Sequence, residues 1–372
     1  MNLQPYLKLM SEQQASDMYF TTGAPVSVRI DGKIRPVGKS MLSPGITRKL
    51  AYDLLTPLQI KDFENRLELN LGVSYTDLGR FRINIYMQRG EVSMVIRYIH
   101  ADIPTLETLG LPDVYKKMMM HKKGLVLVVG ATGMGKSTSL ASMLDYRNMT
   151  ETGHILTIED PIEFMFRHKK CIVGQREVGL DTLSFDNALC EAMREAPDVI
   201  MIGETRDHDT MEAAMRYADT GHLCLTTLHA TNANQALDRL LNFFPNNAHN
   251  QILMDLSLNL NAILAQRLVT GVDGNRVAAV EVLVNTPYIS KLIREGDFHE
   301  IKEIMEKGHE SGMQTFDQAL FDLFKARKID LKSALANADS STNLEWKINF
   351  GGGVKDLQAQ QGAVEPLQFP DE

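Results

Sequence analysis

The ten residues GATGMGKSTS, 130–139, carry the pattern Gly-x-x-x-x-Gly-Lys-Ser. Glycines at these positions let a loop wrap until its backbone N–H groups point inward, and the start of a following helix adds a field that favours anions. Lys136 brings a cation to the β- and γ-phosphates of a nucleoside triphosphate, and the Ser137 hydroxyl is a ligand for Mg²⁺. The binding set for ATP is Gly130, Ala131, Thr132, Gly133, Met134, Gly135, Lys136, Ser137 and Thr138. Met134 is large among small neighbours, but its backbone amide still serves, so the pattern predicts binding and leaves the turnover rate open.

Hydrolysis needs acids as well. Glu159, Asp160 and Glu163 follow the apolar stretch HILTI, and Glu204 follows VIMIG. In open α/β sheets ligands sit beyond the carboxyl ends of the strands, so both clusters are predicted to face one crevice. One acid there can hold Mg²⁺ through water while another polarises the attacking water. Further on, TGHLCLTTLHATNA places His222 and His229 at either end of an apolar run. The pair reads as a sensor of the γ-phosphate.

The elements that must position these groups follow from periodicity. LVLVV (125–129), HILTI (154–158), VIMI (199–202) and LCLTT (223–227) are near-continuous apolar strands alternating with helical segments, which predicts a buried parallel sheet. Before them, Leu3–Met18 and Leu50–Leu67 read as helices. Residues 25–37 read as a hairpin turning at Asp31-Gly32, and 72–99 as two or three strands. The proline-containing stretch 101–112 reads as a linker able to act as a hinge, and 250–335 as mostly helical. The tail GGGVKDLQAQQGAVEPLQFPDE has no apolar period and reads as disordered.

Composition narrows the function. The chain has 372 residues, 44% hydrophobic and 23% charged, with a formal net charge of -8. Two domains are expected at this length, and the acidic balance argues against a protein that coats nucleic acid. Cys171, Cys190 and Cys224 form no C-x-x-C pair, which argues against a disulfide framework or a four-cysteine zinc site and fits a reducing compartment. No secretory segment is visible at the start, and the longest apolar run, GLVLVVG, is far short of the roughly 20 residues of a membrane span. A cytoplasmic protein is expected, with no direct membrane insertion.

In order and spacing, ASDMYFTTGAPVSVRIDGKIRPV, GATGMGKSTS, TIEDPIEF, REAPDVIMIGETRD, TGHLCLTTLHATNA, NTPYISKLIREG and MQTFDQALFDLF resemble the secretion and type IV pilus motor ATPases, specifically the PilT/PilU family of pilus retraction ATPases. The resemblance covers most of residues 1–345. It implies an α/β fold with a PAS-like N-terminal α+β domain (1–100), a linker (101–116), a RecA-like ATPase domain with a helical C-terminal part (117–347) and the tail (348–372). It also implies a homo-hexamer working on an inner-membrane pilus platform protein at the cytoplasmic face, beside a PilT-type retraction ATPase. By resemblance Glu163 is the general base, Glu204 ends the Walker B strand, and His222 and His229 form the His box. Arg82 and Arg97 are the arginines lent to the γ-phosphate by the N-terminal domain, with Arg80 and Arg89 close by. ISKLIREG and the ending ALANADSSTNLEWKINF resemble the PilU branch more than the PilT branch. Pilus-assembly and type II secretion ATPases carry a four-cysteine zinc insertion and a longer N-terminal region, and this chain shows neither. A nucleic-acid motor and a nucleotide-gated subunit with little turnover are the other readings. The first is disfavoured by charge, the second by the full set of catalytic positions.

Overall fold

The computed structural model describes residues 3–30, 32–99, 102–308 and 311–350. In chain order the elements begin α1 (Gln4–Glu12), β1 (Asp17–Phe20), β2 (Pro25–Ile30), β3 (Lys33–Met41), α2 (Ile46–Tyr52), α3 (Pro57–Arg66), β4 (Glu68–Tyr75), β5 (Gly79–Gln88), β6 (Glu91–Ile99) and α4 (Val114–Met119). They continue with β7 (Gly124–Val129), α5 (Lys136–Thr150), β8 (Gly153–Glu159), β9 (Cys171–Glu177), α6 (Phe185–Ala192), β10 (Val199–Ile202), α7 (His208–Asp219), β11 (Leu223–Leu228) and α8 (Ala233–Leu241). The last are α9 (His249–Asn259), β12 (Leu260–Thr270), β13 (Arg276–Val284), α10 (Pro287–Glu295), α11 (Ile301–Lys307), α12 (Phe316–Lys325), α13 (Leu331–Asn337) and α14 (Ser341–Phe350). The chain divides into two compact units, one of residues up to Pro104 with Ala141–Glu204, the other of Thr105–Leu140 with the chain from Thr205 on.

The first unit holds an antiparallel six-stranded sheet in the order β3-β2-β1-β6-β5-β4. Alternation decides its two faces. Phe81, Ile83 and Ile85 of β5 are fully buried with Met94 and Ile96 of β6, in a core shared with Leu7, Met10, Phe20 and Phe63. Arg80, Arg82 and Asn84, at the intervening positions, therefore belong to the other face. The unit also contains β9, β8 and β10, all parallel, with Glu159 paired to Glu177 and Ile202 to Ile158. In the second unit β7 lies between β11 and β12, parallel to both, and β13 closes antiparallel on β12. Every residue of β7, β10 and β11 is buried, as strands covered on both faces require.

The α/β class and the positions of the four apolar strands are as the periodicity predicts. Three local readings are corrected, and one strand, β9, was not foreseen. Leu3–Met18 is a shorter helix followed by β1, because Ser16 and the Asp17–Phe20 segment pair with β2 and β6. Leu50–Leu67 falls within two helices, since Thr56 caps the second in a capping box with Gln59 and Pro57 opens it. Residues 260–284 are strands, not helix: LNAILAQRLVT has good helix formers, but pairing with β7 and β13 overrides propensity. β9 gave no apolar-run signal because its burial is interrupted at Ile172 and Gly174–Arg176. The tail reading falls largely on residues 351–372, outside those described; 348–350 belong to α14.

Phe81 contacts Tyr75 edge-on and Tyr98 at a tilt, with centroids 6.3 and 5.2 Å away. Phe81→Ala should lower the unfolding free energy of the N-terminal sheet by about 3–5 kcal/mol, measured by denaturant titration followed through tyrosine signals. A loss under about 1 kcal/mol would mean the site collapses around the cavity or that this sheet is not a cooperative part of the fold.

Candidate nucleotide site

The phosphate-loop pattern lies between the end of β7 and the first turn of α5. Gly133 and Gly135 have φ of 77° and 81°, in the left-handed region that favours glycine. β12 closes the loop from behind. A Cβ on Gly130 would come within 2.6 Å of the Gln266 carbonyl oxygen, and one on Gly135 within 2.9 Å of Gln266 Nε2. Gln266 is buried and its Oε1 accepts a 2.7 Å hydrogen bond from Ser139 Oγ, on the first turn of α5. The Met134 sulfur accepts the Leu268 N–H at 3.3 Å, and Arg276 Nη1 donates to the Gly133 carbonyl at 3.3 Å. The large residue in the loop is thus a staple to β12. Lys136 is 9% exposed, its Nζ donating to the carbonyls of Gly130 (2.8 Å) and Ala131 (3.0 Å). The glycine cradle and the buried cation fit a polyphosphate.

In the first unit the acids gather at the carboxyl ends of β8, β9 and β10. Gly203 N–H donates to the Ile158 carbonyl at 2.8 Å, so Glu204 leaves β10 beside Glu159. Glu159 is buried, and burial pushes its carboxyl up to about 7 against hydrogen bonds from Thr157 Oγ1 (2.6 Å), Gln175 Nε2 (3.3 Å) and the Glu163 backbone. Glu163 itself is exposed on the loop beyond.

The arginines share one rung of the N-terminal sheet. Register places Gly72, Arg82, Arg97, Asp17 and Arg29 side by side across β4, β5, β6, β1 and β2. Arg97 Nε donates to the buried Asp17 at 2.9 Å, whereas Arg82 lies 3.9 Å and Arg80 3.7 Å from Glu177. Arg89 sits in the β5–β6 turn, away from this rung. Asp17 and Glu177 were invisible in the sequence because only strand register brings them to the arginines.

The histidines do not converge within one chain. Leu228 pairs with Val129 and Leu223 with Gly124. His229 therefore emerges at the phosphate-loop end of β11 and His222 at the opposite end, roughly 20 Å away at about 3.3 Å per residue. His222 instead closes the end of α7, its Nδ1 lying 3.2 Å from Thr220 Oγ1 and 3.3 Å from the Tyr217 carbonyl. Reading them as one sensor pair is corrected for a single chain.

Residues 2–281 match the family described as Type II/IV secretion system protein. The chain is 52% identical over 352 residues to the type IV pilus ATPase PilU of Pseudomonas aeruginosa, covering 94% of this chain and 92% of that one. It is 40% identical to the type IV pilus retraction ATPase PilT of the same organism, covering 92% of this chain and 100% of that one. A crystal structure of the pilus retraction motor PilT with bound ADP superposes with a TM-score of 0.86 at 42% identity, covering 93% and 99% of the two chains.

Glu159 generates a pH prediction. Its folded pKa of about 7 lies above its ordinary 4.5, so the folded protein holds the proton more tightly than the unfolded chain. The contribution is favourable at low pH and is lost as pH rises through that window. The stability of Glu159→Gln relative to the unsubstituted protein should therefore grow by up to about 3 kcal/mol between pH 4.5 and 8. Urea unfolding at the two pH values measures it, and a constant difference would show that Glu159 is not held protonated.

Proposed function

The chain belongs to the Type II/IV secretion system protein family, and we propose that it is a PilU-like ATPase that powers or assists retraction of a type IV pilus in twitching motility. The observation that carries this reading is a phosphate loop with a buried lysine, in a chain that matches PilU over 94% of its length. The higher identity to PilU than to PilT, 52% against 40%, favours the PilU branch over a primary PilT-type motor.

In this reading residues 130–138 hold the triphosphate of ATP, with backbone N–H groups and Lys136 Nζ directed at phosphate oxygens. Mg²⁺ would be held by the Ser137 hydroxyl and, through water, by Glu204, and would neutralise charge between the outer phosphates. The Ser137 hydroxyl, half-buried in the first turn of α5, is a hard oxygen donor that fits such an ion, and among the described residues no group of three or more His, Cys, Asp or Glu could hold a metal ion. Glu163, exposed on its loop, takes a proton from the attacking water. Arg82 and Arg97 offset charge on the phosphoryl oxygens. His229 is the His-box residue placed to sense the phosphate, and His222 has a structural role in its own chain.

The motor works as a homo-hexameric ring acting on an inner-membrane platform protein, beside a PilT-type retraction ATPase, without nucleic acid. No helix among the described residues is long and apolar enough to cross a membrane. In this reading, attachment to the cytoplasmic face of the inner membrane runs through partners.

Three substitutions test the site. Lys136→Ala should abolish productive ATP binding, and near-normal turnover at saturating ATP would sink the assignment. Glu163→Gln and Glu204→Ala should each keep nucleotide binding and lose at least about 100-fold in hydrolysis. Phosphate release measured beside nucleotide binding separates the two effects, and unchanged turnover in Glu163→Gln would remove it as the base. Deletion and complementation in the host, scoring pilus number and twitching, tests the biological role.

A further inference from the structure

Glu177 is the last residue of β9, paired in register with Glu159. Its main chain is fixed by its own turn: the N–H donates to Asp181 Oδ2 at 2.9 Å, and the carbonyl accepts from Leu180, Asp181 and Thr182 at 3.2, 2.8 and 3.3 Å. The carboxylate, only 4% exposed, faces two groups. Arg80 Nη2 lies 3.7 Å from Oε2 and Arg82 Nε 3.9 Å from Oε1. The backbone N–H of Ile162, one residue before Glu163, also donates to Oε2, at 3.4 Å. Gly72, opposite Arg82, makes the approach possible: a Cβ there would stand 3.0 Å from Arg80 Nη2 and 3.2 Å from Leu180.

We propose that Glu177 is a positioning residue for ATP hydrolysis, setting with one buried carboxylate both the reach of Arg82 and the place of the loop that carries Glu163. The proposal rests on the functional reading above and adds to it a group outside the nucleotide-binding pattern. The physical reason is that a carboxylate out of water is costly to leave without cations. Burial pushes the Glu177 carboxyl above its ordinary value even with Arg82, and then Arg80, pulling the other way. Two guanidinium groups are therefore drawn to it, yet at these distances neither is locked in a short hydrogen bond. Arg82 is aimed without being immobilised, which suits a group that must meet charge developing on a phosphoryl oxygen. Arg97 is held differently, in a short bond to Asp17, so the two arginines are not equivalent.

Glu177→Gln keeps an acceptor for Ile162 N–H and removes the charge that draws the arginines. In the full-length protein it should lower kcat for ATP at least about 10-fold, with KM for ATP and affinity for ADP within about 3-fold of the unsubstituted protein. In an Arg82→Ala background the same substitution should cost less than about 3-fold, because the group it aims is gone. A purely structural role would reduce both backgrounds equally. Unchanged kcat in Glu177→Gln, or the same fold-loss with and without Arg82, overturns the proposal. Should Glu177→Gln fail to fold, Glu177→Asp, which keeps the charge but draws the carboxylate back from the arginines and from Ile162 N–H alike, should lower kcat at least about 10-fold with KM for ATP within about 3-fold, and unchanged kcat there overturns the proposal. Lys136→Ala run in parallel separates the levels: if it is inactive while Glu177→Gln is fully active, only this inference falls. If the unsubstituted protein shows no ATP turnover, the functional reading falls and takes this one with it.

Discussion

A loop that aims several backbone N–H groups at one point cannot hold that shape by itself, because it gives up hydrogen bonds that a helix or strand would make. In this protein the contact that holds it is the close approach of β12. The Gln266 carbonyl leaves no room for a Cβ on Gly130, its side-chain amide would have to shift for one on Gly135 and accepts the Ser139 hydroxyl, while Leu268 N–H donates to the Met134 sulfur. Glycine at 130 and 135 is thus required by packing as much as by backbone conformation. The strand can act as a wall because it is itself paired on both sides, with β7 and β13.

The residue between those two contacts faces the other way. Arg267 donates to the Asn337 carbonyl and to Asp339, each at 2.7 Å, and its guanidinium stacks 3.8 Å above the Phe316 ring. Asp339 is also paired with Lys302 at 3.0 Å. Burial alone would push its carboxyl up, but Lys302 and Arg267 hold it below its usual value. Glu281, on β13, is pushed up to about 7 by burial, with Asp339 adding to the effect, and accepts the Ala233 N–H that opens α8. The alternation of one strand thereby joins the phosphate loop on one face to the C-terminal helices and the segment after His229 on the other. A shift of β12 would be felt by both.

The arginines obey the same economy of faces. Period-two alternation buries Phe81, Ile83 and Ile85, which leaves Arg80 and Arg82 together on the far face of the sheet. What each arginine then does is decided by a carboxylate from elsewhere in the chain, Asp17 for Arg97 and Glu177 for Arg82. Neither pairing follows from local sequence, since the partners are separated by 80 and 95 positions.

By itself the sequence determined what local chemistry and short-range periodicity dictate: the phosphate loop with Lys136 and Ser137, the four apolar strands, the acids that follow two of them, and the α/β class. These are legible because glycine spacing, apolar runs and strand-end acids act within a few residues of one another. Only the tertiary structure decided that LNAILAQRLVT is a strand, that Met134 staples the loop, and that His222 and His229 lie at opposite ends of β11. It alone brought Asp17 and Glu177 to the arginines. Each of these depends on register or on packing between segments far apart in the chain, where a shift of one residue would turn every side chain to the other face.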